Sequence, residues 1–243
     1  MSVRSPAKPV STKRASANPT RPKISVVPLT AERWPDLEKL FGPRGAYGGC
    51  WCMFFRQTRA EYSAGCGEPN RRAFRRIVKE GSEPGLLAYA GSEPVGWCAL
   101  APREEYSTLA RARTLKPVDD EPVWSIVCFY VARGFRGRGI SVALLEAAAG
   151  YVKKRGGRVL EGYPNDPKSG PWPDAYAYHG TVSAFRKAGF TEVKRVSPTR
   201  AIMRQVVGGR VGAASRKRSN VVQSARRKTQ ARGRSSRSRT GAK

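Results

Sequence analysis

The chain has 243 residues, of which 46 are Lys or Arg and 18 are Asp or Glu, so its formal net charge is +28. No apolar run approaches the length that crosses a bilayer, and the N-terminal stretch lacks the apolar core of a secretory signal. Five cysteines are an odd number, which fits reduced thiols better than a disulfide framework. We therefore expect a cytoplasmic protein with no membrane partner.

The positive charge is concentrated towards the two ends of the chain. Residues 1–23 carry six Lys or Arg and residues 208–243 carry twelve, with no acidic residue in either segment. These 18 charges leave +10 of the total of +28 for residues 24–207. Both end segments are poor in large apolar residues and cannot offset the entropy lost on ordering, so we predict disordered basic segments on either side of one folded domain.

The C-terminal segment, 208–243, has the composition of a polyanion binder. Clustered Lys and Arg contact phosphates and release counterions, so we expect non-specific, salt-sensitive binding to nucleic acid and association with the nucleoid. The segment contains no aromatic residue for base stacking, which argues against sequence-specific recognition. A solubilising tail without a partner is the alternative.

The first part of the domain is predicted to contain a strand, two helices and a β-hairpin. The predicted bounds are 24–29 for the strand, 30–41 for a helix capped by Thr30, 71–79 for a helix that starts after Asn70, and 86–90 with 95–100 for the hairpin. A glycine-rich loop at 42–49 precedes a dense apolar run that must be buried or line a pocket, Cys50-Trp51-Cys52-Met53-Phe54-Phe55. Residues 102–122 form a longer insertion.

A strand, a glycine-rich turn and a helix follow one another in the next part of the chain. Residues 123–131 predict a strand, and apolar residues at helical spacing predict a helix that begins near Val142. Between them lies Arg136-Gly137-Arg138-Gly139-Ile140-Ser141. Glycine lets the backbone approach a ligand closely and a helix start leaves N–H groups unpaired, so this turn suits a diphosphate. A βα loop without a ligand is the alternative, because short glycine motifs are common.

The remainder of the domain is predicted to close the same sheet. Gly156-Gly157 ends the helix, and a strand at 158–163 follows. A long loop, rich in Pro and Gly, spans 164–180 and contains the only histidine, His179. A helix at 182–188 and strands at 190–196 and 201–207 complete the domain.

The glycine-rich turn resembles the acyl-coenzyme A loop of the GNAT superfamily of N-acyltransferases, whose pattern is Gln/Arg-x-x-Gly-x-Gly/Ala. Arg136 opens this pattern, Gly139 fills its middle, and Ser141 stands where Gly or Ala is usual. A second GNAT motif, an aromatic residue followed after three residues by Gly-Phe and a strand, is similar to Phe185 with Gly189-Phe190. The Cys-Trp-Cys-Met run looks like the mark of a subgroup, whose substrate it does not identify.

The resemblance implies a mixed α/β (α+β) fold with a mostly antiparallel sheet that splays around coenzyme A and is flanked by helices. It further implies transfer of an acetyl group from acetyl-CoA, as co-substrate, to a primary amine of a small molecule or a protein, without a metal. The strand would pair with the pantetheine arm and the turn would hold the diphosphate. The residues so implied are Phe129, Tyr130, Val131, Arg136, Gly137, Arg138, Gly139, Ile140 and Ser141.

The acid and base of such a reaction are less clearly marked. Many GNAT enzymes use as general acid a tyrosine at the position that Phe185 occupies here. Tyr178 and Tyr163 are the substitutes nearest in sequence, and we assign Tyr178 as the catalytic proton donor, with a packing role as the alternative. Glu161 is the candidate base because its strand borders the expected cleft. A glutamate paired with an arginine, and proton loss to water, are the alternatives.

Two further interpretations remain open. His179 is expected to be solvated or hydrogen-bonded rather than catalytic, and the spacing of the cysteines is poor for zinc. A different function class also fits: a regulatory module that binds coenzyme A with little or no catalysis and acts mainly by association with nucleic acid. Phe185 and the basic tail favour this alternative.

Overall fold

The computed structural model describes residues 23–167 and 178–208. The segments predicted to be disordered, 1–23 and 208–243, lie outside the described residues except for Lys23 and Gly208, as do residues 168–177 of the predicted long loop. Within the described part, a seven-stranded sheet is covered by helices on both faces. The predicted mixed α/β fold is confirmed.

The strands lie close to where the hydrophobic pattern predicts them. Their bounds are β1 (Ile24–Pro28), β2 (Gly85–Ala90), β3 (Glu93–Pro102), β4 (Val123–Val131), β5 (Val159–Gly162), β6 (Thr191–Ser197) and β7 (Arg200–Val206). The sheet order is β1-β2-β3-β4-β5-β7-β6. Every pairing is antiparallel except that of β4 with β5, which is parallel.

The helices of the described part include two that the sequence interpretation did not identify. Their bounds are α1 (Trp34–Phe41), α2 (Arg59–Ala64), α3 (Glu68–Lys79), α4 (Ser107–Arg111), α5 (Ile140–Lys154) and α6 (Val182–Lys187). The short helix α2 starts with a capping box, in which the Thr58 hydroxyl accepts from the Glu61 N–H and the Glu61 carboxylate accepts from the Thr58 N–H. The short helix α4 lies in the predicted insertion.

Two predicted helix starts are wrong by a few residues. The helix predicted after Asn70 begins at Glu68, because Pro69 suits the first helical turn, and Asn70 is fully buried inside that turn. Thr30 does not cap α1. A 3-10 turn, Ala31–Arg33, precedes α1 instead, and the Thr30 hydroxyl accepts from the Arg33 guanidinium at 3.2 Å.

The core consists of two layers, one on each face of the sheet. Adjacent residues of a strand point to opposite faces, so that Leu87 and Trp97 pack with α1 and α3, whereas Leu86 and Cys98 pack with α5 and α6. In the described part of the chain, no helix has the length and apolar character needed to cross a membrane. The parallel pair, β4 with β5, lies near the centre of this sheet.

Candidate active site

The parallel strands β4 and β5 pair over only four residues and then separate. Their register runs from Val123 opposite Val159 to Ile126 opposite Gly162. Along the rest of β4, 127–131, the described residues contain no strand partner on the β5 side, while pairing with β3 continues to Val131. Backbone groups on that side of β4 are therefore left to pair with something other than a strand.

A bulge and a buried aromatic ring accompany this separation. Ala99 is opposite Cys128 and Leu100 is opposite Ile126, so Val127 is an extra residue that bends β4. The Phe185 ring packs edge-on against Phe129 of β4, with centroids 6.0 Å apart. The same ring fills the space beside Gly162 of β5, where an added Cβ would lie 2.2 Å from it. Phe185 thus wedges between the diverging strands and belongs to the core.

The turn after β4 presents backbone N–H groups that have no backbone partner within residues 23–167 and 178–208. Gly137 and Gly139 have φ of +72° and +85°, and a Cβ at either position would meet open space. Between Gly137 and Val142, no N–H of the described chain donates a backbone hydrogen bond of normal geometry; the next, from Ala143, donates to Gly139. These groups and the N-terminus of the 15-residue helix α5 lie at the end of β4, which is the arrangement that anion sites at helix starts use.

The gap and the turn open into one cavity of about 690 Å³. Its lining includes Phe129–Val131 of β4, the turn and α5 residues Arg136, Gly137, Gly139, Ile140 and Ser141, and Tyr178. The sequence-based candidates for the coenzyme and the proton donor are therefore brought to one place. Arg138 is the exception, because it lines a neighbouring cleft of about 440 Å³ on the outer side of the same turn.

Residues 51–169 match the family model described as Acetyltransferase (GNAT) family. This part of the chain is similar to the GNAT family. The similarity indicates an acetyltransferase in general terms and does not identify an acceptor. No curated protein matches the sequence.

Several solved structures resemble this domain at low sequence identity. The PaiA N-acetyltransferase from Thermoplasma acidophilum, solved in complex with coenzyme A, is 17% identical, with a TM-score of 0.43 over 76% of this chain and 99% of that chain. A GNAT-family acetyltransferase from Streptococcus pneumoniae is 12% identical, with a TM-score of 0.45 over 76% of this chain and 100% of that chain.

The candidate base, Glu161, is enclosed in an ionic network. Its carboxylate is fully buried and accepts from Arg103 Nη1 at 2.9 Å, Arg204 Nε at 2.7 Å and the Tyr163 hydroxyl at 2.7 Å. The Tyr163 hydroxyl also contacts the Ser125 hydroxyl at 2.9 Å, and burial followed by the charge of Glu161 raises the pKa of Tyr163. Neither Glu161 nor Tyr163 lines the cavity. The arrangement matches the alternative of a glutamate paired with arginine.

Tyr178 is held against a buried histidine. Its ring lies 4.0 Å from that of His179, centroid to centroid. The Arg200 guanidinium can only donate, so at 2.8 Å it donates to His179 Nε2 and leaves the histidine proton on Nδ1. Burial and then the charge of Arg200 hold the pKa of His179 well below its usual value. His179 therefore stays neutral, and its acceptor nitrogen is already occupied. These properties suit a residue that positions Tyr178, and they do not suit a general base.

Another wall of the cavity comes mainly from the apolar run that the sequence left between core and pocket. We call it the aromatic wall, and it consists of Cys50, Cys52, Phe54 and Phe55 of that run together with Tyr47 and Tyr62. Trp51 and Met53 of the same run are buried in the core. The positive φ of Trp51 and Cys52 turns the chain so that alternate members of this apolar run face different environments. Sequence periodicity gives no indication of such a local turn.

The cysteines of the described residues do not form a metal site. No group of three or more His, Cys, Asp or Glu side chains in this part of the chain could hold a metal ion. The Cys52 thiol instead contacts Cys128 and accepts from Trp97 Nε1 at 3.0 Å. These thiols pack and line the cavity.

Proposed function

We propose that this domain is a member of the GNAT family and catalyses transfer of the acetyl group of acetyl-CoA to a primary amine. The observation that carries the proposal is that an N–H-lined turn, an unpaired strand edge and a tyrosine border a single cavity. Each part has a matching chemical need: an anion site for the diphosphate, backbone groups for the pantetheine amides, and a proton for the departing thiolate.

The residues of the turn fit the coenzyme by their shape and charge. The N–H groups from Gly137 to Ser141 would hold the diphosphate, and Arg136 and Arg138 would add positive charge on the two sides of the turn. Arg136 is oriented by the bond from its Nε to the Val131 carbonyl at 3.3 Å. Phe129 and Tyr130 would offer backbone groups to the pantetheine arm. When bound, acetyl-CoA supplies an acyl group that is already activated as a thioester.

Proton transfer is assigned to Tyr178 and solvent. The Tyr178 hydroxyl would donate to the sulfur as its bond to the acetyl carbon breaks. Because Arg103, Arg204 and Tyr163 enclose the carboxylate of Glu161, we do not retain the base role for it and propose that the amine loses its proton to water. Alignment of the amine with a thioester then supplies much of the rate.

Thiol release in the presence of acetyl-CoA and a panel of amines tests this proposal. We expect amine-dependent release of one thiol per acetylated product, and calorimetric binding of coenzyme A to the wild-type protein. The variant Tyr178→Phe should bind coenzyme A equally well and turn over slowly. Absence of coenzyme A binding would reject the proposal, and binding without turnover of any amine would favour the regulatory alternative.

A second role is proposed for the basic tail, which lies outside the described residues. The twelve Lys and Arg of residues 208–243 support non-specific binding to nucleic acid, and so association with the nucleoid. Deletion of 208–243 should abolish salt-sensitive DNA and RNA binding while thiol release on a small amine survives. If deletion instead abolishes turnover, a binding module becomes the better description.

A further inference from the structure

The aromatic wall forms the part of the cavity left for the acceptor. Cys52 of the wall contacts Cys128 of β4, and the Phe55 ring lies 5.8 Å from that of His179, the neighbour of Tyr178. The wall therefore stands beside both the unpaired part of β4 and the proposed proton donor. An amine that attacks a thioester lying along β4 would have the rest of its body against this wall.

The wall is built for an apolar partner. The Phe54 ring meets Phe55 and Tyr62 edge-on, with centroids 5.0 Å and 5.2 Å away, yet 42% of Phe54 is exposed. Tyr47, also on the wall, is 71% exposed. Among the described residues that line the cavity, Arg136 at the coenzyme turn is the only charged one, and there is no carboxylate. A second ammonium group would find no counterion among these described residues.

We propose that the acceptor is a primary monoamine carried on an aromatic or other apolar body, which packs against the aromatic wall with Phe54 as its main contact. This inference rests on the proposed function, and it favours such amines over polyamines and lysine-rich protein segments. The excess of +10 on residues 24–207 acts in the same direction, because it repels multiply charged cations.

The environment of the wall also affects the protonation state of an amine that binds there. Burial raises the pKa of the Cys50 thiol to about 11, and burial likewise raises the pKa of the Tyr62 hydroxyl, so the wall favours neutral groups. The same desolvation lowers the pKa of an amine that enters. Attraction of an ammonium to the aromatic faces opposes this shift but is weaker than the cost of desolvating the charge. The neutral form of the amine is therefore favoured beside the wall, and the proton that the amine loses during the reaction passes to water.

Steady-state kinetics with 2-phenylethylamine and spermidine as probes test the inference. We expect kcat/KM for 2-phenylethylamine to exceed that for spermidine at least tenfold. Phe54→Ala should lower kcat/KM for 2-phenylethylamine about tenfold and leave the Kd for coenzyme A unchanged, because about one aromatic contact is lost. Val206→Ala, which removes an exposed apolar side chain from β7, is the matched control and should change neither value.

A variant that introduces a negative charge on the aromatic wall provides a complementary test of substrate preference. Phe54→Glu places a carboxylate on the wall and should shift the ratio of the two kcat/KM values towards spermidine. Equal or better use of spermidine by the wild-type protein, or no effect of Phe54→Ala, would overturn the inference while the proposed function stands.

If no amine releases thiol, the proposed function fails, and calorimetry on the protein saturated with coenzyme A decides the inference separately. Binding of 2-phenylethylamine that Phe54→Ala weakens supports it. Absence of binding to the wild-type protein overturns it.

Discussion

The two halves of β4 share β3 as a neighbour and differ on the opposite side. The first half, Val123–Ile126, pairs with β5. On β5, the carboxylate of Glu161 is enclosed by two arginines and a tyrosine. The second half, 127–131, borders the cavity. In the closed half the β4 backbone pairs with β5 and the Glu161 carboxylate has three protein donors. In the open half no described strand pairs with β4 on the β5 side, so backbone groups there can pair with a ligand.

Within this one sheet, polar groups that are buried and fully paired lie apart from a polar group that a ligand can reach. Glu161 and Tyr163 carry the residue types that catalysis uses, but their partners are complete and solvent does not reach them. Tyr178 lies at the open half and is exposed to the cavity. Variants on the two halves should therefore affect different quantities: the free energy of unfolding in the closed half, and binding or turnover in the open half.

The largest effect should come from removal of the carboxylate in the closed half. Glu161→Ala removes the buried carboxylate that the partly buried Arg103 and Arg204 share, so we expect a loss of about 3–5 kcal/mol in the free energy of unfolding. Urea unfolding measures this, with Glu93→Ala at the exposed start of β3 as a control that should change stability by less than about 0.5 kcal/mol. A stable Glu161→Ala protein that has lost turnover would restore the base role to Glu161.

Substitution of the two candidate tyrosines should lower kcat in the open half and stability in the closed half. Tyr178→Phe should lower kcat about a hundredfold, at the lower end for general acid catalysis because a thioester is already activated. Tyr163→Phe removes a hydrogen bond to Glu161 and should cost about 1 kcal/mol of stability with kcat preserved. The opposite pattern, with kcat lost only in Tyr163→Phe, would mean that the proton comes from the closed half.

Alanine substitutions of two glycines at opposite ends of α5 test whether the turn binds the coenzyme. Gly139 and Gly156 both have positive φ, and neither would meet another atom with an added Cβ, so alanine strains the backbone about equally at both positions. Only at Gly139 would the methyl group stand between the N–H groups and a diphosphate. We expect calorimetry to show coenzyme A binding about tenfold weaker in Gly139→Ala and unchanged in Gly156→Ala. Equal affinities would remove the turn from the coenzyme site.

The smallest expected effect is the dependence of the free energy of unfolding on pH. The folded state holds the pKa of His179 well below the value of about 6.5 in the unfolded chain, so below pH 6.5 the unfolded state binds one more proton. Stability should therefore fall as pH decreases, by about 1 kcal/mol between pH 7 and 5.5. The chain has one histidine, so His179→Gln should remove this dependence in thermal or urea unfolding over the same range. An unchanged dependence in the variant would show that His179 titrates normally.

The sequence predicts the open half well because the information there is local. An apolar run, a turn with two glycines and a helix at regular spacing are contiguous, and the structure brings almost all of the residues named from them to one cavity. The unidentified helix α2 was also readable in principle, since Thr58 and Glu61 stand at the spacing of a capping box.

The closed half and the aromatic wall depend on contacts that are distant in sequence. Glu161 is neutralised by Arg103, which lies 58 residues earlier, and by Arg204, which lies 43 residues later. No local pattern marks such a pair, and a strand glutamate looks alike whether it faces solvent, substrate or arginine. Phe185 is similar in this respect, because only the divergence of β4 and β5 creates the space that its ring fills.

Hydrogen–deuterium exchange with and without saturating coenzyme A tests most directly whether the open half holds the coenzyme. We expect slower exchange in peptides that cover 127–131 and 137–142, and no change in peptides that cover Val159–Gly162, whose amides are already paired. Unchanged exchange at 127–142 in a protein that binds coenzyme A would place the ligand elsewhere and contradict the assignment.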